Sequence, residues 1–327
     1  MPSSPPTLSV VVPTRDTRAL TLRCLASLGR AAPEAEVVLV DDAGSDGTAE
    51  AAAAAHPRLR LVRLPEPAGF TRAANRGLAA TGGELLLLLN SDTEVDAAGL
   101  TALRARFAAA PRLGAAGAAL HYPGGAPQWS GGAEPTLLWL FALASGAPHL
   151  LESLPLYRRL KPPGAPAGGA VDWVTGAALA LRRAAWQEVG PFDERFRFYA
   201  QDLDLCGRLR AAGWEVALLP DFRVLHHHGA TIGAAAGAAA AGGRQDAELL
   251  WTDLLRWAEK RHGARWARRA ARVLAAGGRA RLLARAAAVP FVAAPHRPAR
   301  RAEDDALRKA LAGLKSWAGK GASQAMR

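Results

Sequence analysis

Strand-length apolar runs alternate with helical segments over the first hundred residues, and this alternation constrains the possible folds more than any other feature. The runs occupy residues 8–14, 36–41, 59–64 and 85–89, the last being five consecutive leucines. They are largely solid apolar stretches, as is typical of strands that are buried on both faces. Because helical segments lie between them, the pattern predicts an α/β fold with a parallel sheet covered by helices.

Polar clusters follow three of these predicted strands, at the point where each strand ends. The clusters are Pro-Thr-Arg-Asp at 13–16, Asp-Asp-Ala-Gly at 41–44 and Asn-Ser-Asp-Thr-Glu at 90–94. In open α/β sheets, ligands bind outside the carboxyl ends of the strands. We therefore expect the three clusters to meet at one edge of the sheet and to form a binding site there.

The second half of the chain is less regular. Residues 115–170 are rich in Gly and Pro and are predicted to form long loops with one short helix. Residues 171–183 are typical of a strand or strand pair, 201–214 of an amphipathic helix, and 215–229 of one or two further strands. Beyond residue 233 the sequence becomes Ala-rich and helical in character.

The net charge of +12 is concentrated near the C-terminus. Residues 256–301 contain 13 Lys and Arg against one acidic residue, whereas residues 1–255 contain 23 against 25. A solvated helical face, a helix lying on anionic lipid and a nucleic-acid surface all fit such a segment. Since no nucleic-acid-binding motif accompanies the charge, we expect an anionic membrane surface and no nucleic acid.

The cysteines and the apolar segments indicate the cellular compartment of the protein. Cys24 and Cys206 stand far apart and match no metal-binding or disulfide pattern, which favours a reducing compartment. The N-terminus lacks the features of a secretory signal, and no apolar stretch is long enough to cross a bilayer. We expect a cytoplasmic protein that associates peripherally with the inner face of the cell membrane.

Each acidic cluster has two interpretations. Asp92 is either a ligand for a divalent cation on a nucleotide diphosphate or part of a helix cap. Asp42 is either part of an acidic turn or an acceptor for a nucleoside base or ribose. The sequence contains neither G-x-G-x-x-G nor G-x-x-x-x-G-K-[ST], so it supports neither a common dinucleotide site nor a phosphate loop.

Two further clusters lie in the second half. Asp202 and Asp204 stand at the start of a predicted helix, where they either cap it or supply a general base. His226 and His228 end a predicted strand and, being two residues apart, share one side of it. They form either a surface or partly buried His cluster or a ligand for a metal or diphosphate.

Taken in order, six segments resemble the family 2 glycosyltransferases of the GT-A fold, especially the rhamnosyltransferase-like branch that builds bacterial cell-surface polysaccharides. They are SVVVPT, VVLVDDAGSDGT, AGFTRAANRGLAATGGELLLLLNSDTE, VDWVTGAALALRR, VGPFDERFRFYAQDLDLCGRLRAAGW and VLHHHGAT, within residues 7–233. The resemblance implies a Rossmann-like, mixed but mostly parallel sheet flanked by helices, followed by a basic helical extension. It implies a GT-A domain at 1–233, with a donor half at 7–115 and an acceptor and catalytic half at 116–233, and an extension at 234–327.

The resemblance also implies roles for individual residues. Donor-binding positions are Pro13, Thr14, Asp42, Arg72, Asn75, Ser91 and Asp92. A Mg²⁺ or Mn²⁺ ion would be held by Asp92 and His228. Asp202 would be the catalytic base, and the acceptor or sugar pocket would include Trp173, Gly176 and Gln201. The sequence departs from the family pattern at Asn90, which replaces an Asp, at Gln201, which replaces a Glu, and at 66–69, which lacks an Asn.

The expected activity is inverting, metal-dependent transfer of a sugar such as rhamnose from a dTDP- or UDP-sugar to a saccharide or polyprenyl-linked acceptor. Two alternatives stay open at this point. A catalytically silent module that binds nucleotide-sugars would share the fold, and Gln201 is the local feature that favours it. A nucleotidyltransferase would instead consume a nucleoside triphosphate and release pyrophosphate.

Overall fold

A computed structural model describes residues 6–146, 169–227, 246–288 and 297–320. The described residues fall into two compact units. Unit 1 comprises residues 6–133, 169–197 and 201–227, and unit 2 comprises 134–146, 198–200, 246–288 and 297–320. The sequence-based boundary at residue 233 lies outside the described residues.

Unit 1 is built on an eight-stranded mixed sheet. Its strands are β1 (Leu8–Thr14), β2 (Glu36–Asp41), β3 (Arg60–Arg63), β4 (Leu85–Leu89), β5 (Thr93–Val95), β6 (Leu113–His121), β9 (Ala178–Arg182) and β10 (Glu215–His226). Their order across the sheet is β3-β2-β1-β4-β9-β6-β10-β5. Strand β9 is antiparallel to both neighbours and β5 is antiparallel to β10, whereas the other pairs are parallel. The predicted mixed, mostly parallel sheet is confirmed.

Helices cover this sheet, and a two-stranded ribbon accompanies it. The helices of unit 1 are α1 (Arg18–Ala31), α2 (Thr48–Ala55), α3 (Phe70–Ala79), α4 (Ala97–Ala109), α6 (Arg183–Val189) and α7 (Gln201–Ala211). The ribbon pairs β7 (Gly131–Gly132) with β8 (Trp173–Val174). All residues of β1 and β4 are buried, which explains why these runs are solid rather than alternating.

The prediction of long loops from residue 115 onward is wrong for residues 115–121. These residues belong to β6, which pairs with β9 and β10 in the interior of the sheet. Six of the nine residues of this strand are Ala or Gly, and its neighbours approach closely: a Cβ on Gly117 would lie 2.5 Å from the Cβ of Val174. Tertiary packing therefore overrides the low intrinsic strand preference of these residues.

Gly77 marks the closest approach of α3 to the sheet. A Cβ at this position would lie 2.2 Å from Cγ1 of Val11 and 2.9 Å from Cγ2 of Val40. We expect Gly77→Ala to lower the free energy of unfolding by about 1–3 kcal/mol, because either the helix or two β-branched side chains must move. Urea unfolding measures the change. Gly124→Ala is the matched control, since nothing lies within 4 Å of a Cβ there; equal losses in both variants would contradict the packing argument.

Unit 2 is helical in the residues described. Its helices are α5 (Leu137–Ser145), α8 (Ala247–His262), α9 (Ala264–Ala287) and α10 (Arg297–Lys320). Helices α8 and α9 are joined at Gly263, and α5 packs directly on α9, where a Cβ on Gly277 would lie 2.9 Å from the Cβ of Ala144. Among the described helices of the chain, none combines the length and apolar character needed to span a bilayer.

Candidate functional site

The polar ends of β1, β2 and β4 lie side by side, as the sequence predicts. Strand β1 pairs in parallel with β2 on one side and β4 on the other, with Thr14 level with Asp41. Pro13 and Thr14 are buried at the end of β1. The hydroxyl of Thr14 contacts those of Thr17 and Thr21, and Thr17 Oγ1 lies 3.0 Å from Ser91 Oγ. A buried hydroxyl network therefore fixes the β1 end against the loop after β4.

Asp42 fixes the loop that leads into α3. Its Oδ1 accepts a hydrogen bond from the backbone N–H of Ala68 at 2.6 Å, and its Oδ2 accepts one from Gly69 at 3.0 Å. Gly69 adopts a positive φ of 85° at the start of the helix, a conformation that favours glycine. The sequence assigned Asp42 to a nucleoside, and the structure shows that its two oxygens also hold the 66–69 segment.

Asp92 lies between the end of β4 and the start of β5, and it is 2% exposed. Strand β5 pairs with the end of β10, which places His226 beside it: Nε2 of His226 is 3.3 Å from Oδ1 of Asp92. The backbone oxygen of Asp92 also accepts a hydrogen bond from the N–H of His227. The end of β10 thus holds the backbone at Asp92, and the carboxylate faces the imidazole of His226.

Gln128 sets the orientation of His226, and nothing in the sequence singled it out. Its side-chain Nε2 donates to the backbone oxygen of His226 at 2.7 Å. Its Oε1 is then left to accept from Nδ1 of the imidazole, 2.8 Å away, so Nε2 of the ring is the nitrogen that faces Asp92. Gln128 lies in a Gly- and Pro-rich stretch without periodicity, which is why the pattern gave no signal for it.

The oxygen and nitrogen atoms at this edge suit a divalent cation. The Asp92 carboxylate and the imidazole face each other, and Oδ1 of Asn90 is buried and accepts no hydrogen bond from the described residues. The described part of the chain contains no group of three His, Cys, Asp or Glu that would enclose a metal. Since Mg²⁺ bound with substrate phosphates needs only one or two carboxylates, the residues present fit such an ion. His228 lies outside the described residues.

Asp202 stands in the first turn of α7 and is buried. Oδ2 accepts from the backbone N–H of Gly176 at 3.0 Å, and Oδ1 accepts from that of Leu203 at 2.9 Å. Burial raises the pKa of Asp202 above its ordinary value, and these backbone hydrogen bonds oppose part of the effect. Asp204 forms an ion pair with Arg208 one turn along, with Nε 2.9 Å from Oδ2.

The turn at 175–177 joins the surroundings of Asp92 to those of Asp202. Gly176 donates to Asp202, as described above, and the next residue, Ala177, accepts a hydrogen bond from the backbone N–H of Asn90 at 2.9 Å. On the preceding side, Thr175 donates to the backbone oxygen of Ser130, two residues from Gln128. Hydrogen bonds through this turn therefore connect the segments that carry Asp92 and Asp202, which are distant in sequence.

Trp173 and Gln201 border the same turn. The Trp173 ring packs edge-on against Trp129 with ring centroids 4.9 Å apart, and its Nε1 donates to the backbone oxygen of Ala133. Trp129 is partly exposed, whereas Trp173 is buried. Gln201 is buried beside Gly176, and its Oε1 has no hydrogen-bond partner among the described residues.

Arg72 and Asn75, on α3, contact the segment that precedes α7. Arg72 is exposed and forms an ion pair with Glu194, with Nε 3.0 Å from Oε2. Asn75 is buried, donates to the backbone oxygen of Phe192 and accepts from the N–H of the same residue, each at 2.9 Å. In this structure Asn75 therefore anchors the 192–194 segment, while Arg72 stays accessible from solvent.

Comparisons with known proteins agree with this geometry. The sequence matches the family model described as "Glycosyl transferase family 2" over residues 9–159. Over 259 residues it is 30% identical to the N-acetylglucosaminyl-diphospho-decaprenol L-rhamnosyltransferase of Mycobacterium tuberculosis (strain ATCC 25618 / H37Rv). The aligned residues cover 72% of this chain and 83% of the relative. It is 31% identical over 237 residues to the O-antigen biosynthesis protein RfbC of Myxococcus xanthus, covering 69% of this chain and 18% of that protein.

Two solved structures share the fold. The mannosyltransferase PcManGT of Pyrobaculum calidifontis, in complex with GDP-Man and Mn²⁺, superposes with a TM-score of 0.56 at 20% identity, covering 98% of this chain and 85% of that one. GalNAc-T7 with UDP, GalNAc and Mn²⁺ gives a TM-score of 0.51 at 18% identity, covering 68% and 43%. At these identities the likeness establishes the architecture.

Proposed function

Because the chain belongs to the family 2 glycosyltransferases and has their GT-A fold, we propose that it transfers a sugar from a nucleotide-diphosphate donor to a saccharide acceptor with inversion at the anomeric carbon. The observation that carries this proposal is the pair of buried carboxylates, Asp92 and Asp202, joined through the 175–177 turn at the carboxyl edge of the sheet. One carboxylate serves the donor and the other serves the acceptor. This division of roles is what a displacement reaction requires.

The donor side is formed by the ends of β1, β2 and β4. Asp92, with His226 and Asn90 beside it, would hold a Mg²⁺ or Mn²⁺ ion, and both solved structures compared above contain Mn²⁺. Such an ion neutralises charge that develops on the diphosphate leaving group. Pro13, Thr14, Asp42 and Ser91 shape the nucleoside side of the donor site. The exposed guanidinium of Arg72, which pairs with Glu194 in this structure, would turn to the diphosphate.

The acceptor side is formed around Asp202. An acceptor hydroxyl attacks the anomeric carbon, the bond from that carbon to the diphosphate oxygen breaks, and the hydroxyl proton passes to Asp202. The raised pKa of Asp202 suits this role, because a carboxylate of ordinary pKa is a weak base near neutral pH. The hydrogen bonds from Gly176 and Leu203 fix the carboxylate while leaving each oxygen further lone pairs.

Substrate identity is proposed from the relatives. The mycobacterial relative is named as a rhamnosyltransferase that acts on N-acetylglucosaminyl-diphospho-decaprenol, and the myxococcal one as an O-antigen biosynthesis protein. We therefore favour a dTDP-sugar such as dTDP-rhamnose over a UDP-sugar, and a polyprenyl-linked saccharide as acceptor in cell-surface polysaccharide synthesis. An enzyme with such an acceptor works at the cytoplasmic face of an anionic membrane.

Trp129 is expected to contribute to acceptor binding. It is the partly exposed partner of buried Trp173 and lies beside the turn that holds Asp202. We expect Trp129→Ala to raise the KM for the acceptor by about tenfold with a smaller change in kcat, since an indole contributes both apolar area and an aromatic face. Steady-state kinetics at saturating donor measure the change. Trp129→Phe should retain most of the affinity, and an unchanged acceptor KM in the Ala variant would contradict the assignment.

Nucleotide-dependent thermal unfolding tests the donor site. The protein is heated with dTDP, UDP, GDP or ATP, each with and without Mn²⁺. A ligand at 100 times its Kd stabilises by about 2.7 kcal/mol, which raises Tm by several degrees. We expect the largest shift with dTDP plus Mn²⁺. A shift with ATP alone would favour nucleotidyl transfer instead.

A further inference from the structure

Four arginines form a stripe along α9, the longest helix of unit 2 together with α10. We call Arg265, Arg269, Arg272 and Arg279 the arginine stripe. Their spacings of four, three and seven residues place them on one face of an α-helix. All four are exposed, whereas Ala267, Ala270 and Leu274 on the opposite face are buried. The stripe is therefore an outward surface of the helix.

The stripe differs from three arginines of unit 2 whose charges are neutralised by carboxylates. Arg256 pairs with Asp253, Arg261 with Glu134, and Arg285 with Glu303 and Asp304. Within the described ranges of the chain, no carboxylate lies in ion-pair distance of any guanidinium in the stripe. A solvated helical face in a folded domain commonly mixes both signs of charge, whereas this face presents one sign.

Large apolar side chains are also exposed on α9 and on the neighbouring helix α5. Leu283 continues the stripe four residues beyond Arg279 and is 72% exposed. On α5, which packs on α9, Leu138 and Phe141 are 56% and 39% exposed and share a face of their helix. Exposed leucine beside unpaired arginine is typical of helices that lie at the boundary between headgroups and acyl chains.

We propose that the arginine stripe and Leu283 form a docking surface for anionic phospholipid headgroups. The positive stripe complements the negative surface potential of such a membrane, and the leucine at its end reaches the apolar layer. Arg265 and Leu283 are about 27 Å apart at ~1.5 Å per residue, so several headgroups fit along the face. This proposal specifies the surface by which the protein would contact the membrane that carries its acceptor. It rests on the proposed function only for its biological purpose.

Vesicle co-sedimentation of the full chain tests the proposal. We expect binding to phosphatidylglycerol and phosphatidylcholine vesicles, no binding to pure phosphatidylcholine, and weakening as salt is raised. Changing all four stripe residues to Gln is expected to weaken binding by about 100-fold or more. Leu283→Ser, an exposed position that leaves the fold intact, is expected to weaken it several-fold.

A matched control separates this surface from net charge. Arg23, Arg30, Arg76 and Arg106 are exposed arginines of unit 1, and changing them to Gln removes the same four charges. The control variant should bind vesicles nearly as well as wild type. Equal losses in both variants, or no binding by wild type, would overturn the proposal. Displacement from vesicles by duplex DNA at equal phosphate concentration, with tighter binding to the DNA, would also overturn it in favour of a nucleic-acid surface.

Activity assays distinguish failure of the docking surface from failure of the enzyme. With a short-chain, water-soluble acceptor, the stripe variant should retain wild-type turnover, because none of the four arginines belongs to the site in unit 1. With acceptor in anionic vesicles, its turnover should fall in parallel with its vesicle binding. Vesicle binding by a wild-type protein that transfers no sugar would leave the docking surface standing and refute the proposed activity.

Discussion

Replacing Asp202 with Asn is expected to lower kcat by about 10²- to 10⁴-fold, the usual contribution of a general base. The amide keeps the size of the side chain and still accepts a hydrogen bond, but it does not take a proton from the acceptor hydroxyl. Donor binding should be unchanged, because Asp202 is held by Gly176 and Leu203 rather than by the donor-side loops. Single-turnover transfer and calorimetric binding of the nucleoside diphosphate measure the two quantities separately.

Asp204→Asn is the matched control for this variant. Asp204 lies on the same helix, two residues away, but is paired with Arg208. Its replacement should lower stability, since it leaves a half-buried guanidinium without its partner, and should leave the turnover of folded protein close to wild type. Equal loss of turnover in both variants would show that the effect comes from disturbance of α7 and not from the base.

The pH dependence of the transfer rate tests the same role of Asp202 and has an expected direction. Burial raises the pKa of Asp202, so the rate should fall on the acid side at a pH above the ordinary range of an aspartate. Because burial raises the folded-state pKa, the ionised carboxylate of Asp202 destabilises the fold at pH values above that pKa, and this penalty disappears at lower pH as the group becomes protonated. Loss of activity in Asp202→Asn at neutral pH therefore should not come from loss of a stabilising charge.

Replacing Asp92 with Asn is the second large change. We expect the affinity for nucleoside diphosphate in the presence of Mn²⁺ to fall by about 100-fold, with little change in its absence, because the carboxylate facing His226 is the charged ligand that we propose for the ion. Isothermal titration calorimetry with dTDP, with and without Mn²⁺, measures the difference.

Glu94→Gln is the control for Asp92. Glu94 belongs to the same acidic cluster but pairs with His227, whose Nε2 is 2.8 Å from Oε1. Its replacement should leave the metal-dependent part of donor affinity intact. An Asp92 variant that binds dTDP as tightly as wild type with Mn²⁺ would remove Asp92 from the metal site and return it to the role of a loop-anchoring residue.

The strand pattern and the meeting of the polar strand ends at one edge of the sheet could be predicted from sequence because both follow from local chemistry. Solid apolar runs such as 85–89 indicate strands buried on both faces, and parallel strands necessarily bring their carboxyl ends to the same edge. The structure confirms this for β1, β2 and β4. The resemblance of the six sequence segments to GT-A enzymes likewise agrees with the fold that this chain shares with the solved mannosyltransferase.

Other features could not be predicted, because they depend on contacts distant in sequence. Six of the nine residues of strand β6 are Ala or Gly, whose preference for strands is weak, and a Cβ on Gly114 or Gly117 would collide with Trp214 or Val174. Gln128 and Trp129 lie in a stretch that resembles a plain loop, yet they contact His226 and Trp173. The resemblance implied His228 as a metal ligand, and alternation only placed His226 on the same side of the strand. The pairing of β5 with β10 shows that His226 faces Asp92, whereas His228 lies outside the described residues.

The most direct test of the account is a transfer assay on the purified chain with dTDP-rhamnose and polyprenyl-diphospho-N-acetylglucosamine, with Mn²⁺ or with EDTA. Product is separated by mass and the anomeric configuration of the new linkage is read by NMR. We expect transfer that requires the cation, yields a linkage inverted relative to the donor, and is lost in Asp202→Asn. Metal-dependent binding of dTDP or UDP without transfer from either sugar nucleotide to any saccharide acceptor would contradict it and identify a silent nucleotide-sugar-binding protein.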